Sequence, residues 1–268
     1  MNDLEKKYRK LKSQVRRLGS VVVAYSGGVD SALVLKVAKD ELGHNAIAVT
    51  SDSPSVPRSE LTEASAIARS IGARHVVVQT NEIDNPNYAA NPVNRCYFCK
   101  SELYAHLTTV ARREGVRHVV NGTNLDDLGD YRPGLLAASE FTVVSPLRDA
   151  GFTKADVRLL AKRLGLRIWD KPASPCLASR IPYGTAVTRE RLAVVERAEA
   201  FLRTYGLSDV RVRHLDGTAR IEVNPEDMSS IEDNLAEIQG EFSKLGFTVV
   251  ELCEFRSGSL NVGVVPST

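Results

Sequence analysis

The residues best suited to chemistry form a glycine-rich stretch near the start of the chain, at positions 26–31. They follow an apolar run at 21–25 and precede a segment in which apolar residues recur with helical spacing. Two adjacent glycines allow a sharp backbone turn, and a helix that begins there presents unpaired N–H groups at the positive end of its dipole. The pattern therefore predicts a strand, an anion-binding turn and a helix. The candidate phosphate and Mg²⁺ ligands are Ser26, Gly27, Gly28, Asp30 and Ser31.

This stretch differs from the two commonest phosphate-binding motifs. It lacks the Gly-Lys-Ser/Thr ending of a Walker A loop and the G-x-G-x-x-G spacing of dinucleotide-binding proteins. It resembles instead the PP-loop of ATP pyrophosphatases, S-G-G-x-D-S, at all six positions. The resemblance implies that AMP is transferred from ATP to a carboxylate or carbonyl oxygen and that pyrophosphate is released. The alternative is an ordinary strand-to-helix turn with a capping serine or aspartate, which explains only one residue of the six.

Three of the four cysteines form a second candidate site. Cys96 and Cys99 make a C-x-x-C at the start of a predicted helix, and Cys176 lies far downstream. A helix N-terminus favours the thiolate, which is the form that binds metals or attacks electrophiles. Three thiolates could hold a 4Fe–4S cluster and leave one iron open for hydrosulfide, whereas zinc, a redox pair or unliganded thiols are the alternatives. Cys253 lies in a strand pattern and is predicted to be a small core residue.

Arginines near the C-terminus form a third candidate site. Arg211 and Arg213 alternate with valines, so both side chains face the same side of a predicted strand. Arg256 lies in the segment after the last predicted strand. Paired guanidinium groups suit a phosphate, although such a pattern is also typical of the solvent-exposed face of a sheet.

Alternating strands and helices are expected to position the glycine-rich turn. The predicted strands are 21–25, 46–50, 74–79, 116–120 and 141–144, and the intervening helices include 58–71 and 99–113. This alternation indicates an α/β fold with a parallel sheet, in which ligands bind at the carboxyl ends of the strands. The segments 50–53 and 121–127 follow strand ends, so we expect them to meet the turn. Their candidate nucleotide or metal ligands are Thr50, Gly122, Asp126 and Asp127, with solvated loop acids as the alternative for the two aspartates.

A change of pattern after the proline-containing loop 171–183 predicts a second domain. We therefore expect two domains, 1–185 and 186–268. The second has helical patterns at 189–205 and 229–245 and strand patterns at 210–214, 219–223 and 247–252, with a hairpin signal at Asp216-Gly217. This order predicts a small α+β domain with an antiparallel sheet.

Composition limits the classes of partner. The chain has 268 residues, of which 43% are hydrophobic and 25% charged, and its net charge of +2 argues against extended nucleic-acid binding. No apolar run approaches the roughly 20 residues of a membrane span. The N-terminal segment is a charged amphipathic helix pattern without a signal-peptide core. We therefore predict a cytoplasmic protein without a membrane partner.

Taken together, these segments resemble the LarE family over almost the whole chain. LarE proteins are sulfur transferases that make the nickel-pincer nucleotide cofactor of lactate racemase. The resemblance implies a PP-loop ATP pyrophosphatase domain (adenine nucleotide alpha hydrolase-like), a small C-terminal domain and assembly as a homohexamer. It also implies that carboxylates of pyridinium-3,5-biscarboxylic acid mononucleotide are adenylated and become thiocarboxylates. The matching segments are 26–31, 94–100, 121–127, 130–134, 173–184, 210–213 and 255–258.

The resemblance also implies roles for the cysteines and arginines. One branch of the family sacrifices the sulfur of a single cysteine at the position of Cys176. The other branch adds a C-x-x-C and binds a 4Fe–4S cluster that delivers sulfide from an external donor. This chain resembles the cluster branch, so the implied cluster ligands are Cys96, Cys99 and Cys176. The implied ligands of the substrate phosphate are Arg211, Arg213 and Arg256, and the predicted catalytic residues are Cys176 and Asp30.

Two other functions agree with part of the pattern. A tRNA-thiolating enzyme can combine a PP-loop with three cysteines, but the near-neutral charge and the lack of additional zinc-finger cysteines argue against it. A nucleotide-binding sensor without chemistry explains the glycine-rich turn but leaves the cysteines without a role.

Overall fold

The computed structural model describes residues 2–129, 133–207 and 209–256, and the chain forms two compact units. The first unit consists of Met1–Glu82 and Asn94–Ser174, and the second of Ile83–Val93 and Pro175–Thr268. The short segment Ile83–Val93 belongs to the second unit partly because the Asn91 side-chain amide donates to three backbone carbonyls of the 181–185 loop. The functional domains 1–185 and 186–268 stay a prediction.

Regular elements occupy most of both units. The strands are β1 Val21–Ala24, β2 Ala46–Asp52, β3 Arg74–Gln79, β4 His118–Val120, β5 Arg211–Leu215, β6 Thr218–Val223 and β7 Val249–Glu254. The helices are α1 Asp3–Leu18, α2 Val29–Leu42, α3 Arg58–Ile71, α4 Pro86–Ala89, α5 Arg95–Arg113, α6 Pro133–Glu140, α7 Pro146–Ala150, α8 Lys154–Arg163, α9 Arg189–Arg203, α10 Met228–Asp233 and α11 Leu235–Lys244. Within the described ranges, no helix has the length and apolarity needed to cross a membrane.

The first unit is built on a four-stranded parallel sheet in the order β3-β2-β1-β4. Successive residues of β1 enter different cores, because side chains alternate across a strand. Val21 and Val23 pack with α1, α2 and α8, whereas Val22 packs with α5 and α6 on the opposite face. This two-sided arrangement confirms the predicted α/β class and the parallel sheet.

The predicted fifth strand at 141–144 is wrong. Phe141 and Val143 donate their backbone N–H groups to Ala137 and Ala138 and so end helix α6. Thr142 has a φ of 55°, which is incompatible with an extended strand. In the described structure, only Val144 reaches the sheet, through an isolated parallel bridge to Val120.

The second unit contains a three-stranded sheet in the order β5-β6-β7. Strands β5 and β6 form the predicted hairpin, in which Asp216 and Gly217 both have positive φ, as a two-residue type I′ turn requires. The prediction of a purely antiparallel sheet is wrong, because β7 pairs parallel to β6. Helices α10 and α11 supply the crossover that a parallel connection needs. They replace the single helix predicted at 229–245, which is interrupted at Asn234.

Candidate functional site

The glycine-rich turn joins β1 to α2, with Gly28 as the N-cap of the helix. The Ser31 hydroxyl donates to the Gly28 carbonyl at 3.0 Å and accepts from the Ser26 backbone N–H at 3.2 Å. The serine side chains therefore hold the turn in shape. Among the described residues, the backbone N–H groups of Val29 and Asp30 meet no acceptor. The turn thus leaves donors available at the positive end of a helix dipole, as a phosphate site requires.

Two glycines allow neighbouring segments to approach the turn closely. Gly27 has a φ of 79°, and a Cβ atom there would lie 2.8 Å from the Cβ of Ala64 in α3. A Cβ at Gly122 would lie 2.7 Å from the backbone nitrogen of Ser31. The segment after β4 therefore packs directly on the start of α2, as the strand-end argument predicts.

Asp30 is paired with a lysine that the motif does not contain. Lys154 Nζ lies 2.5 Å from Asp30 Oδ2, and the Asn124 side-chain amide donates to Asp30 Oδ1 at 3.1 Å. Lys154 is the first residue of α8, whose N-terminus is fixed by the Thr153–Asp156 capping box. The motif alone does not point to Lys154, because nothing in local spacing relates a lysine to a carboxylate 124 residues away. The missing Walker lysine is the one signal that could have prompted a search for a cation.

We expect Lys154→Met to lower kcat/KM for AMP formation about 10- to 100-fold, because it removes the ammonium group beside Asp30, which would make one charge-assisted contact with a phosphate bound at the turn. The measurement is AMP release at varied ATP. Lys162→Met is the matched control, because Lys162 lies on the same helix and its Nζ contacts the Trp169 ring at 4.2 Å. An unchanged rate of AMP formation in Lys154→Met would show that Lys154 does not contact the phosphates and only neutralises Asp30.

The aspartates after Gly122 have structural partners. Asp126 Oδ2 accepts from the Lys154 backbone N–H at 2.8 Å, and Asp127 Oδ2 accepts from the Asn124 backbone N–H at 3.0 Å. These bonds hold the loop beside Asp30. Their proposed contact with metal or nucleotide stays a prediction.

Thr50 lies at the same edge of the sheet but uses its hydroxyl internally. Its Oγ1 donates to the Tyr25 carbonyl at 2.7 Å and lies 2.8 Å from His75 Nε2. Because the single hydroxyl proton goes to the carbonyl, His75 Nε2 must be the donor in the second bond. Burial lowers the pKa of His75, which favours this neutral ring.

The lowered pKa of His75 predicts a pH-dependent stability. Below its ordinary value of 6.5, the unfolded chain binds a proton that the folded ring resists. The free energy of unfolding should therefore fall as pH decreases below this value, because the unfolded state holds more protons. His75→Gln should flatten the pH dependence in urea unfolding, compared with the wild-type chain. Identical slopes for the two proteins would contradict the assignment.

The C-x-x-C lies within the first turns of α5, which begins at Arg95 and not at Cys99 as predicted. Cys96 is exposed and Cys99 is partly buried. Both belong to the first unit, and Cys176 belongs to the second. All four cysteines lie within the described ranges, and none forms a disulfide. Within those ranges, no three or more Cys, His, Asp or Glu side chains are grouped to hold a metal ion.

The two strand arginines of the second unit have different environments. Arg213 is buried, and it donates to Glu222 Oε2 at 2.7 Å and to the Ser179 carbonyl at 2.7 Å. The Arg211 guanidinium lies 4.0 Å from the centroid of the Phe255 ring. Among the described residues it makes no ion pair. Burial and the positive charges of neighbouring arginines lower the pKa of Arg211, so a bound anion would be favoured there.

Arg256, the third predicted phosphate ligand, is exposed. Two of the matching segments extend outside the described residues: the 130–134 segment at residues 130–132 and the 255–258 segment at residues 257–258. The structure therefore brings the PP-loop residues together with Thr50, Gly122 and the two aspartates, and it places the predicted arginines in the second unit.

Known proteins resemble this chain over two different extents. Residues 20–166 match the arginosuccinate synthase N-terminal HUP domain family. An uncharacterized protein of Synechocystis sp. is 49% identical, covering 96% of this chain and 98% of that protein. The pyridinium-3,5-bisthiocarboxylic acid mononucleotide synthase of Lactiplantibacillus plantarum is 39% identical, covering 97% of this chain and 96% of the synthase. The tRNA-specific 2-thiouridylase MnmA of Rickettsia prowazekii is 25% identical over 65% of this chain and 59% of that enzyme.

Proposed function

Because this chain belongs to the LarE family of PP-loop, ATP-dependent sulfur transferases, we propose that it converts pyridinium-3,5-biscarboxylic acid mononucleotide into the bisthiocarboxylic acid. The observation that carries the substrate assignment is the 39% identity, over nearly both full lengths, to a synthase of that product. The product would be a precursor of the nickel-pincer nucleotide cofactor of lactate racemase.

The chemistry follows from the poor reactivity of a carboxylate. A carboxylate is anionic and would have to expel oxide. Attack of its oxygen on the α-phosphorus of ATP releases pyrophosphate and forms an acyl adenylate, from which AMP is a good leaving group. Hydrosulfide then attacks the acyl carbon, and AMP departs with the former carboxylate oxygen. Donors aimed at the charge that develops on the pyrophosphate would accelerate the first step.

The open N–H groups at Val29 and Asp30 support the phosphate assignment. Ser26, Gly27, Gly28 and Ser31 shape the turn around the phosphates. Mg²⁺, when bound, supplies charge neutralisation at the phosphates. Asp30 is the proposed carboxylate ligand, although both its oxygens already have partners in Lys154 and Asn124. Thr50, Gly122, Asp126 and Asp127 complete the proposed nucleotide site.

The proposed sulfur source is a 4Fe–4S cluster held by Cys96, Cys99 and Cys176. What supports it is the donor set, because three thiolates leave one iron of such a cluster open. When bound, the cluster supplies hydrosulfide obtained from an external donor. The alternative is that Cys176 gives up its own sulfur. The homohexameric assembly and the cytoplasmic location belong to the same proposal.

The test of the function is the pair of nucleotide products. We expect pyrophosphate to form only when the biscarboxylic mononucleotide is supplied, and AMP and thiocarboxylate to form together when sulfide is also present. ADP and orthophosphate would exclude the reaction. Product formation with tRNA in place of the mononucleotide would favour the alternative suggested by the tRNA-thiolating relative.

Arg211→Met should raise KM for the mononucleotide about 10- to 100-fold and leave KM for ATP unchanged, because one charge-assisted phosphate contact is lost. Arg189→Met is the control, since Arg189 pairs with Asp84 at the surface. Arg213 is unsuitable for this comparison, because its loss would leave the buried Glu222 carboxylate without that partner, at a cost of about 3–5 kcal/mol. Parallel loss of affinity for both substrates would contradict a phosphate role for Arg211.

A further inference from the structure

The turn that carries Cys176 is held through its backbone by a buried arginine. Cys176 immediately precedes the 3-10 turn Leu177–Arg180. Arg180 Nη1 donates to the Pro175 carbonyl at 2.8 Å and lies 3.4 Å from the Cys176 carbonyl oxygen. One side chain therefore contacts the carbonyl groups of both peptide bonds that flank the Cα atom of Cys176.

The same guanidinium is anchored by a buried glutamate of α9. Arg180 Nε donates to Glu199 Oε1 at 2.8 Å, and the two side chains are only 4% and 1% exposed. Glu199 Oε1 also accepts from the Val212 backbone N–H of β5 at 3.1 Å. Breaking a buried ion pair leaves an uncompensated charge. Moving the Arg180 side chain away from Glu199 is therefore energetically unfavourable. The pair fastens the cysteine turn to a helix and a strand of the second unit.

We propose that Arg180 is a positioning residue for sulfur transfer, which fixes the backbone of Cys176 and thereby the direction of its thiol. This role rests on the proposed function of Cys176. The planar guanidinium has five N–H donors in a rigid fork, so it binds the Glu199 carboxylate and the two carbonyls together. A lysine ammonium can neutralise Glu199, but all its donors are on one nitrogen atom, so it does not reach the two carbonyls at the same time.

Arg203 offers a matched control. Its Nη2 donates to Glu199 Oε2 at 3.1 Å, so it shares the same glutamate. Among the described residues, however, it makes no hydrogen bond to the cysteine turn. Arg180→Lys and Arg203→Lys therefore perturb the same carboxylate, but only the first removes bonds to the Cys176 backbone.

The experiment compares two readouts in the full chain. The first is the rate at which iodoacetamide alkylates Cys176 after a chelator has removed bound iron, followed by peptide mass mapping. We expect Arg180→Lys to raise this rate on the order of 10-fold, since a backbone constraint is lost. The second is thiocarboxylate formed per pyrophosphate released, which should fall about 100-fold because the sulfur is misplaced. Arg203→Lys should change neither value.

Equal alkylation rates in the two variants would overturn the proposal. So would an equal fall in pyrophosphate release and sulfur transfer with a lower melting temperature, because a purely structural role affects both steps. If Arg180→Lys fails to fold, the double variant Arg180→Gln/Glu199→Gln removes both buried charges together and should show the same faster alkylation. A wild-type enzyme that makes no thiocarboxylate would contradict the proposed function, whereas the alkylation comparison would still decide the role of Arg180.

Discussion

Serine at Cys96, Cys99 or Cys176 should abolish sulfur transfer and bound iron while pyrophosphate release from ATP, the sign of adenylation, persists. The physical reason is that a 4Fe–4S cluster needs thiolate ligands, which a serine hydroxyl does not supply at neutral pH. The PP-loop lies on a different segment, so adenylation does not depend on these thiols. The measurements are iron content after anaerobic purification, thiocarboxylate yield with added sulfide, and pyrophosphate release.

Cys253→Ser is the matched control for this series. Cys253 lies on β7 in register with Glu222 of β6, and it is partly buried. We expect this variant to retain both iron and sulfur transfer. A protein that turns over once, loses the elements of H₂S at Cys176 and tolerates serine at Cys96 and Cys99 would instead establish a sacrificial cysteine.

Gly122→Ala should lower AMP formation about 100-fold, because an added methyl group displaces the start of α2 and misplaces the phosphates. The new Cβ atom would lie 2.7 Å from the Ser31 backbone nitrogen and 2.9 Å from the Asp30 carbonyl carbon. Backbone atoms cannot rotate away as a flexible side chain can. Overpacking of this kind also costs about 1–3 kcal/mol of stability, so the assay should be run well below the melting temperature.

Gly129→Ala provides the comparison at a site without such crowding. Among the described residues, no heavy atom lies within 4 Å of a Cβ built at Gly129, and this glycine does not have a positive φ. We therefore expect normal AMP formation from this variant. Equal activity of the two alanine variants would show that the segment after β4 does not constrain the PP-loop.

The local elements of the first unit could be predicted well because their signals are short-range. Helix α3 begins and ends where the apolar spacing predicts, at Arg58 and Ile71. The turn between Ala24 and Val29 depends on glycines, whose wide range of allowed backbone dihedral angles is a property of the residue itself. The segment 141–144 has the residue types of a strand but does not form one. The backbone N–H groups of residues 141–143 are already bonded to the carbonyls at the end of α6, so they cannot pair with the sheet.

Side-chain partners distant along the chain were beyond prediction. Asp30 was recognised from its motif, but its pairing with Lys154 depends on how α8 packs beside α2. Arg211 and Arg213 look equivalent in the sequence because they share a strand face. In the folded unit, Glu222 and Ser179 engage Arg213, whereas Arg211 lies over Phe255.

The sequence by itself determined the nucleotide chemistry, the parallel α/β class and the family, because these depend on residue types at fixed local spacing. The tertiary structure alone decided which charged groups lie next to the candidate residues. Lys154 pairs with Asp30, and Arg180 donates to the carbonyl of Pro175, the residue before Cys176. Ion pairs and carbonyl contacts form between atoms a few ångströms apart. Proximity of that kind is set by the packing of helices on the sheet and not by separation along the chain.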